Sequence, residues 1–251
     1  MANSLPWVPA TAPPALTYNE VHVWRACLDL SSDVRERLQS TLNSDENTRV
    51  EKLLIEKARE HFVGARGILR ELLGAYLGVA GGKVAFRYGP EGKPSLSPEH
   101  NSKISFNVSH SNGMGLFVFA NEQEIGADIE YLKPDFRGME IASRFFSEEE
   151  SAALAKLPPE QQDEAFFGCW TKKEAYVKAH GQGLGIPLDS FTVEFSKSKQ
   201  VLRDEGGARW SCYALEAATG FAAAVVAAGE NWSAKCWEWS AGEKRVASSV
   251  D

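Results

Sequence analysis

The chain has 251 residues, 43% of them hydrophobic, enough to bury the core of one large domain or two small ones. A formal net charge of −7 argues against broad nucleic-acid binding, which needs a basic surface to release counterions. The four cysteines form no CxxC or Cys/His cluster, so neither a zinc site nor a disulfide framework is signalled and a reducing cytoplasm fits best.

The first 16 residues lack a cationic stretch and contain four prolines, which excludes a signal peptide and predicts an extended arm over residues 1–19. A strand follows at 21–30, then one long helix over about 44–76. Val50, Leu54, His61, Ala65, Ile68, Leu69, Leu72 and Tyr76 recur there at helical spacing, with Lys52, Arg59, Arg66 and Arg70 on the other side as a solvated basic face. Strands are expected at 83–88, 104–110 and 115–121, the first ending near a Gly92-Lys93-Pro94 hairpin corner. The next strand spans 125–132, helices follow over 147–156 and 160–180, and strands over 190–195, 210–217 and 221–228. The apolar run at 221–229 falls far short of the ~20 residues a membrane span requires. From residue 233 the chain reads as a tail.

The two halves share one order of elements, and both main helices start alike, with Asn43-Ser44-Asp45-Glu46 paralleling Ser147-Glu148-Glu149-Glu150. This predicts an α+β fold of two similar α/β lobes about a pseudo-twofold axis, with the active site in the cleft between them. The lobes are expected at 20–122 and 123–232, with the tail at 233–251.

The segment IGADIE (125–130) carries the main chemical signal. In a strand, successive side chains alternate faces, so Asp128 and Glu130 lie side by side while Ala127 and Ile129 point away. Like charges so placed call for a cation, and a few oxygen ligands suit Mg²⁺ shared with substrate phosphates, with Mn²⁺ the alternative. In WTKKEAYVK (170–178), Trp170, Glu174 and Lys178 share one helical stripe with Phe167 beside them. Either this is an exposed i,i+4 ion pair, or the aromatic flank covers a Glu that then needs a metal or cation partner. Ser109, His110 and Ser111, between a β-rich run and two glycines, could hold an anion or be ordinary loop residues.

FNVSHS (106–111), IGADIE, and FFSEEE (145–150) followed by WTKKEAYVKAHGQGLG (170–185), together with EGKP (91–94) and VGARGILRELLG (63–74), resemble in their joint order the 4′-phosphopantetheinyl transferases of the larger, surfactin-synthetase-activating type. The resemblance implies a pair of α/β lobes and Mg²⁺-dependent transfer of 4′-phosphopantetheine from coenzyme A to a serine of an apo acyl or peptidyl carrier protein, releasing 3′,5′-ADP. It places Mg²⁺ on Asp128, Glu130 and Glu174. Coenzyme A would lie on Arg66, Arg87, Lys93, Asn107, Ser109, His110 and Lys178, with Arg66 and Lys93 near the 3′-phosphate and His110 a phosphate ligand. Asp128, Glu174 and Lys178 are the expected catalytic residues, with Glu174 or a water on the ion as general base and Lys178 offsetting charge on the leaving oxygen. A monomer in the cytoplasm is expected, since one chain supplies both lobes, with no membrane or nucleic-acid partner. The competing readings are a non-catalytic coenzyme A or carrier-binding module and a Mg²⁺-dependent nucleotide hydrolase. Residues 134–144 are the expected carrier-docking loop.

Overall fold

In a computed structural model of the chain, residues 5–89, 92–134, 136–181, 185–204 and 206–242 are described. The fold is α+β. Strands β1 (Trp7–Ala10) and β2 (Glu20–Cys27) lead to helices α1 (Ser32–Gln39), α2 (Ser44–Lys52) and α3 (Glu56–Leu77). A hairpin, β3 (Phe86–Tyr88) and β4 (Pro94–Leu96), precedes β5 (Ile104–Ser111), β6 (Met114–Asn121) and β7 (Ile125–Tyr131). Helices α4 (Gly138–Phe145), α5 (Glu148–Ala155) and α6 (Pro159–His180) follow, and then β8 (Lys199–Arg203), β9 (Arg209–Leu215), β10 (Phe221–Ala228) and β11 (Ser233–Trp239).

One sheet runs β1-β11-β2-β6-β5 and the other β7-β10-β9-β8. Their strands alternate, so each sheet has two apolar faces. Val21, Val23, Leu116 and Val118 of the first pack against Ile125, Ala127, Ile129 and Val225 of the second, forming the layer between the sheets. On the outer faces, Trp24 and Leu28 meet Ile68 and Leu72 of α3, while Ala224 and Val226 meet Phe166, Ala175 and Tyr176 of α6.

The two halves also repeat a polar staple. Asn43 with Glu46, and Ser147 with Glu150, form capping boxes at the starts of α2 and α5. Each glutamate is buried and faces a buried cation, Arg70 Nε 2.7 Å from Glu46 and Lys173 Nζ 2.8 Å from Glu150. Arg70 and Lys173 each stand fourteen residues past the first residue of their helix. Each also donates to carbonyls of the chain that follows that helix, Arg70 through Nη1 to Gly81 and Val84 and Lys173 to Leu188 and Phe191.

Several expected elements differ. The helix expected over 44–76 breaks at Leu53–Ile55, where Leu53 and Ile55 are extended and Arg59 donates to the carbonyls of Leu53 and Leu54. Leu54, placed on the buried stripe, is 90% exposed, and Arg70, placed on the solvated face, is 1% exposed. Residues 190–195 form no strand: Ser190 closes a short 3-10 helix, Phe195 enters a turn, and Lys172 and Lys173 bind the carbonyls of Glu194, Phe195 and Phe191. Residues 138–145 form a helix where a loop was expected. Trp7–Ala10 of the arm and Ser233–Trp239 of the tail are strands, with β11 inserted parallel between β1 and β2. Residues 1–4 and 243–251, the outer parts of the arm and tail, lie outside the described residues.

Removing one partner of a buried ion pair strands the other, at a cost of about 3–5 kcal/mol. Lys173→Met is therefore expected to lower the unfolding free energy by about that amount and to speed hydrogen exchange over 188–197; chemical denaturation and exchange mass spectrometry check both.

Candidate active site

The site is built where β5, β7 and α6 meet. Gly126 allows the meeting: a Cβ there would collide with the Ala175 carbonyl and the Ala179 amide and stand 2.8 Å from the Lys178 carbonyl carbon. The α6 backbone thus lies directly on β7, which brings Lys178 to Asp128 two residues further along the strand.

The β5 and β7 edges face each other through side chains. Asn107 Oδ1 accepts from Ala127 N at 3.0 Å, Ser109 Oγ donates to Asp128 Oδ1 at 2.8 Å, and Ser111 Oγ donates to Glu130 Oε2 at 2.8 Å while accepting from Tyr131 N. The three side chains, at every second residue of β5 and so on one face of it, meet β7 at Ala127, Asp128 and Glu130–Tyr131, two through backbone amides and two through carboxylates. Lys178 Nζ completes the centre, 2.5 Å from Asp128 Oδ1 and 3.2 Å from Ser109 Oγ.

The electrostatics fit a cation-seeking cluster. Burial holds Glu174 above the usual carboxylate range, and the Asp128 and Glu130 charges push the same way against Lys178. Glu130 is likewise raised, chiefly by burial and then by Asp128, with the Ser111 hydrogen bond opposing. Asp128 is 3% exposed, and its Oδ2 is buried with no hydrogen-bond partner. An orphaned carboxylate oxygen beside two carboxyls that resist ionisation is a donor set suited to a hard divalent ion. Among the described residues, no three acidic, His or Cys side chains already converge as a metal cage.

The remaining expected residues are spread around this centre. His110 follows Ser109 and keeps part of its surface in solvent; partial burial first, then the nearby His61, Lys178 and Arg49, hold it below the usual imidazole value. Arg66 Nε lies 3.4 Å from Glu46, with its guanidinium over Phe86. Arg87 is exposed and donates to Ser95 Oγ at 3.0 Å. Arg87 and Lys93 line a cavity of about 570 Å³ with Lys103, Ile125 and His180. Glu91 of the EGKP segment and residues 182–184 of the GQGLG segment lie outside the described residues.

Sequence reasoning read Ser111 as an anion-binding or loop residue rather than as the partner of Glu130, and missed Arg49 and His61 beside His110. Ser111 had a readable signal: the SxS spacing of 109–111 equals the DxE spacing of 128–130. Arg49 and His61 had none, since α2 and α3 carry them among many other polar residues.

A family model described as the 4′-phosphopantetheinyl transferase superfamily matches residues 124–226, and one described as 4′-phosphopantetheinyl transferase, N-terminal, matches 31–123. The chain is 38% identical over 236 residues to the 4′-phosphopantetheinyl transferase HetI of Nostoc sp. (strain PCC 7120), covering 93% of this chain and 98% of that one. It is 29% identical over 201 residues to the 4′-phosphopantetheinyl transferase Sfp of Bacillus subtilis (strain 168), covering 79% and 88%. The chain belongs to the 4′-phosphopantetheinyl transferase superfamily and is an enzyme of that class.

Overpacking a close contact typically costs about 1–3 kcal/mol, and here the neighbours at Gly126 are backbone, which cannot step aside. Gly126→Ala is expected to lose at least about that much stability and most of its transfer activity; urea unfolding and a transfer assay test this, and a variant with full activity would show that α6 need not touch β7.

Proposed function

We propose that this enzyme moves the 4′-phosphopantetheine group of coenzyme A to a serine hydroxyl of an apo acyl or peptidyl carrier protein, and that it needs Mg²⁺ to do so. The observation that carries the site assignment is the convergence of Asp128, Ser109 and Lys178 on one point, with the Asp128 charge raising the proton affinity of both Glu130 and Glu174.

Asp128, Glu130 and Glu174 would hold the ion, which supplies positive charge to the pyrophosphate oxygens. Ser109 keeps Asp128 in place and Ser111 keeps Glu130. His110, with Arg49 and His61 near it, presents cationic or donor groups to phosphate. The cavity lined by Arg87 and Lys103 has room for the adenosine end.

In the transfer, the carrier serine oxygen bonds to the phosphopantetheine phosphorus, and the bond from that phosphorus to the bridging oxygen breaks. The serine proton passes to a base, for which Glu174 is suited because burial already raises its proton affinity. The bridging oxygen leaves with 3′,5′-ADP, its charge offset by the Lys178 ammonium. The lobe over 20–122 would contribute the nucleotide side and that over 123–232 the carboxylates. No helix among the described residues is long and apolar enough to cross a membrane.

The test is incubation with coenzyme A, Mg²⁺ and an apo carrier domain. A mass gain of one phosphopantetheine on the carrier is expected; phosphate release without it would point to hydrolysis, and binding without either to a passive module. Asp128→Ala is expected to cut transfer by at least a hundredfold, on the order of what loss of an electrostatic group at a reacting phosphate costs, with the fold retained. Near-normal turnover at saturating magnesium would defeat that assignment.

Helix α4 lies between the metal strand and α5 and carries the exposed Arg144 and the half-exposed Phe145, with Arg137 exposed just ahead of it. An acidic carrier surface would meet positive charge and an aromatic ring there. Reversing Arg137 and Arg144 to Glu is expected to raise the Michaelis constant for the carrier about tenfold with that for coenzyme A unchanged; an unchanged carrier constant would place docking elsewhere.

A further inference from the structure

Lys93 stands just before β4, on the hairpin contributed by the first half of the chain, yet its ammonium is spent in the second half. Lys93 Nζ donates to the carbonyls of Lys178 at 2.5 Å, Ala179 at 3.2 Å and Ile125 at 3.2 Å. A lysine ammonium has three N–H donors and no acceptor, so these three carbonyls use its whole capacity. Two of them belong to the last turn of α6, where carbonyls lack helical partners and the helix dipole favours a cation. The helix ends there on Gly181, in the left-handed region at φ 71°, and a Cβ on that glycine would stand 3.5 Å from Lys93 Cδ. The third carbonyl is that of Ile125, the first residue of β7.

The clamp therefore joins the end of the helix that carries Lys178 to the start of the strand that carries Asp128, across the contact at Gly126. We infer that Lys93 is a positioning residue that acts through Lys178, rather than a ligand of the nucleotide's 3′-phosphate. This rests on the transferase reading above. A shift of α6 along β7 of even an ångström would carry the Lys178 ammonium away from the leaving oxygen without moving Arg66, the first-half residue expected at the 3′-phosphate.

The experiment compares wild type, Lys93→Met, Lys178→Met and the double variant, with coenzyme A and with dephospho-coenzyme A, which lacks only the 3′-phosphate. Lys93→Met is expected to lower kcat about ten- to a hundredfold, the scale on which misplacement acts, while the ratio of KM values for the two donors stays at its wild-type value. In the Lys178→Met background the same change is expected to cost no more than about twofold, because one residue acts through the other. Lys93→Arg keeps a cation able to bind phosphate but cannot fill the three-carbonyl cage with one nitrogen; it should lose kcat like the methionine variant and answers the question if that variant does not fold. Loss of discrimination between the two donors would overturn the proposal in favour of a phosphate ligand, and losses that multiply in the double variant would overturn it in favour of a general loss of stability. Wild-type enzyme that transfers from neither donor would instead defeat the transferase reading, a separate failure.

Discussion

A helix laid directly on a strand, with no side chain between them, is the constraint from which the site follows. Gly126 is the position that allows it, since a methyl group there would meet the carbonyl of Ala175 and the amide of Ala179. Side chains on a helix normally hold it about 10 Å from a sheet, a separation at which the Lys178 ammonium would need its full length to reach the strand. At backbone contact the same ammonium closes a 2.5 Å pair with Asp128 and still reaches Ser109. The seam between β5 and β7 then fixes the other coordinate, because Asn107, Ser109 and Ser111 bond to β7 along its length from Ala127 to Tyr131.

The duplicated scaffold explains why this happens once and not twice. Both halves have a capping-box glutamate, a buried basic residue at the same place in the long helix, and carbonyls of the following chain gathered onto that residue. These staples hold the connecting segments without a strand partner, so they are structural in both halves. The position in α3 that corresponds to Glu174 is Glu71, which is paired with Arg37 and held above the usual carboxylate range by burial. The position corresponding to Lys178 is Ala75. One half thus keeps its carboxylate neutralised by a neighbour, while the other surrounds its own with Asp128 and Glu130.

What could be read from the sequence was what depends on local period. Alternation along 125–130 put Asp128 and Glu130 on one side, helical spacing put Glu174 and Lys178 on another, and the structure brings Asp128 and Lys178 into contact. Long-range partners carried no such signal. Residues 233–239 alternate as a strand should, but their partners β1 and β2 lie more than two hundred residues earlier. The run at 190–195 alternates equally well and pairs with lysines rather than a strand. At Leu54 the apolar periodicity continued straight through a break, because periodicity registers side chains while the break is made by the Arg59 guanidinium holding two carbonyls. Arg70 looked like a surface charge because its partner, Glu46, was already accounted for as a cap.

The asymmetry of the Asp128–Lys178 pair bears on what the site can do. The Asp128 side chain is 4% exposed and the Lys178 side chain 32%, so the acid is fixed and the cation has room to move. Ser109 binds the same Asp128 oxygen and stays with it if the ammonium swings away on its flexible stem. The other oxygen has no partner, and leaving a buried acceptor unsatisfied costs about 1–3 kcal/mol. A site that only had to be stable would have closed that gap with a hydroxyl or an amide, as the Glu150 carboxylate does with Ser147 N and Val193 N. Kept open beside a movable cation and two carboxyls of raised proton affinity, it suits a ligand that brings its own positive charge and takes Lys178 as a second one.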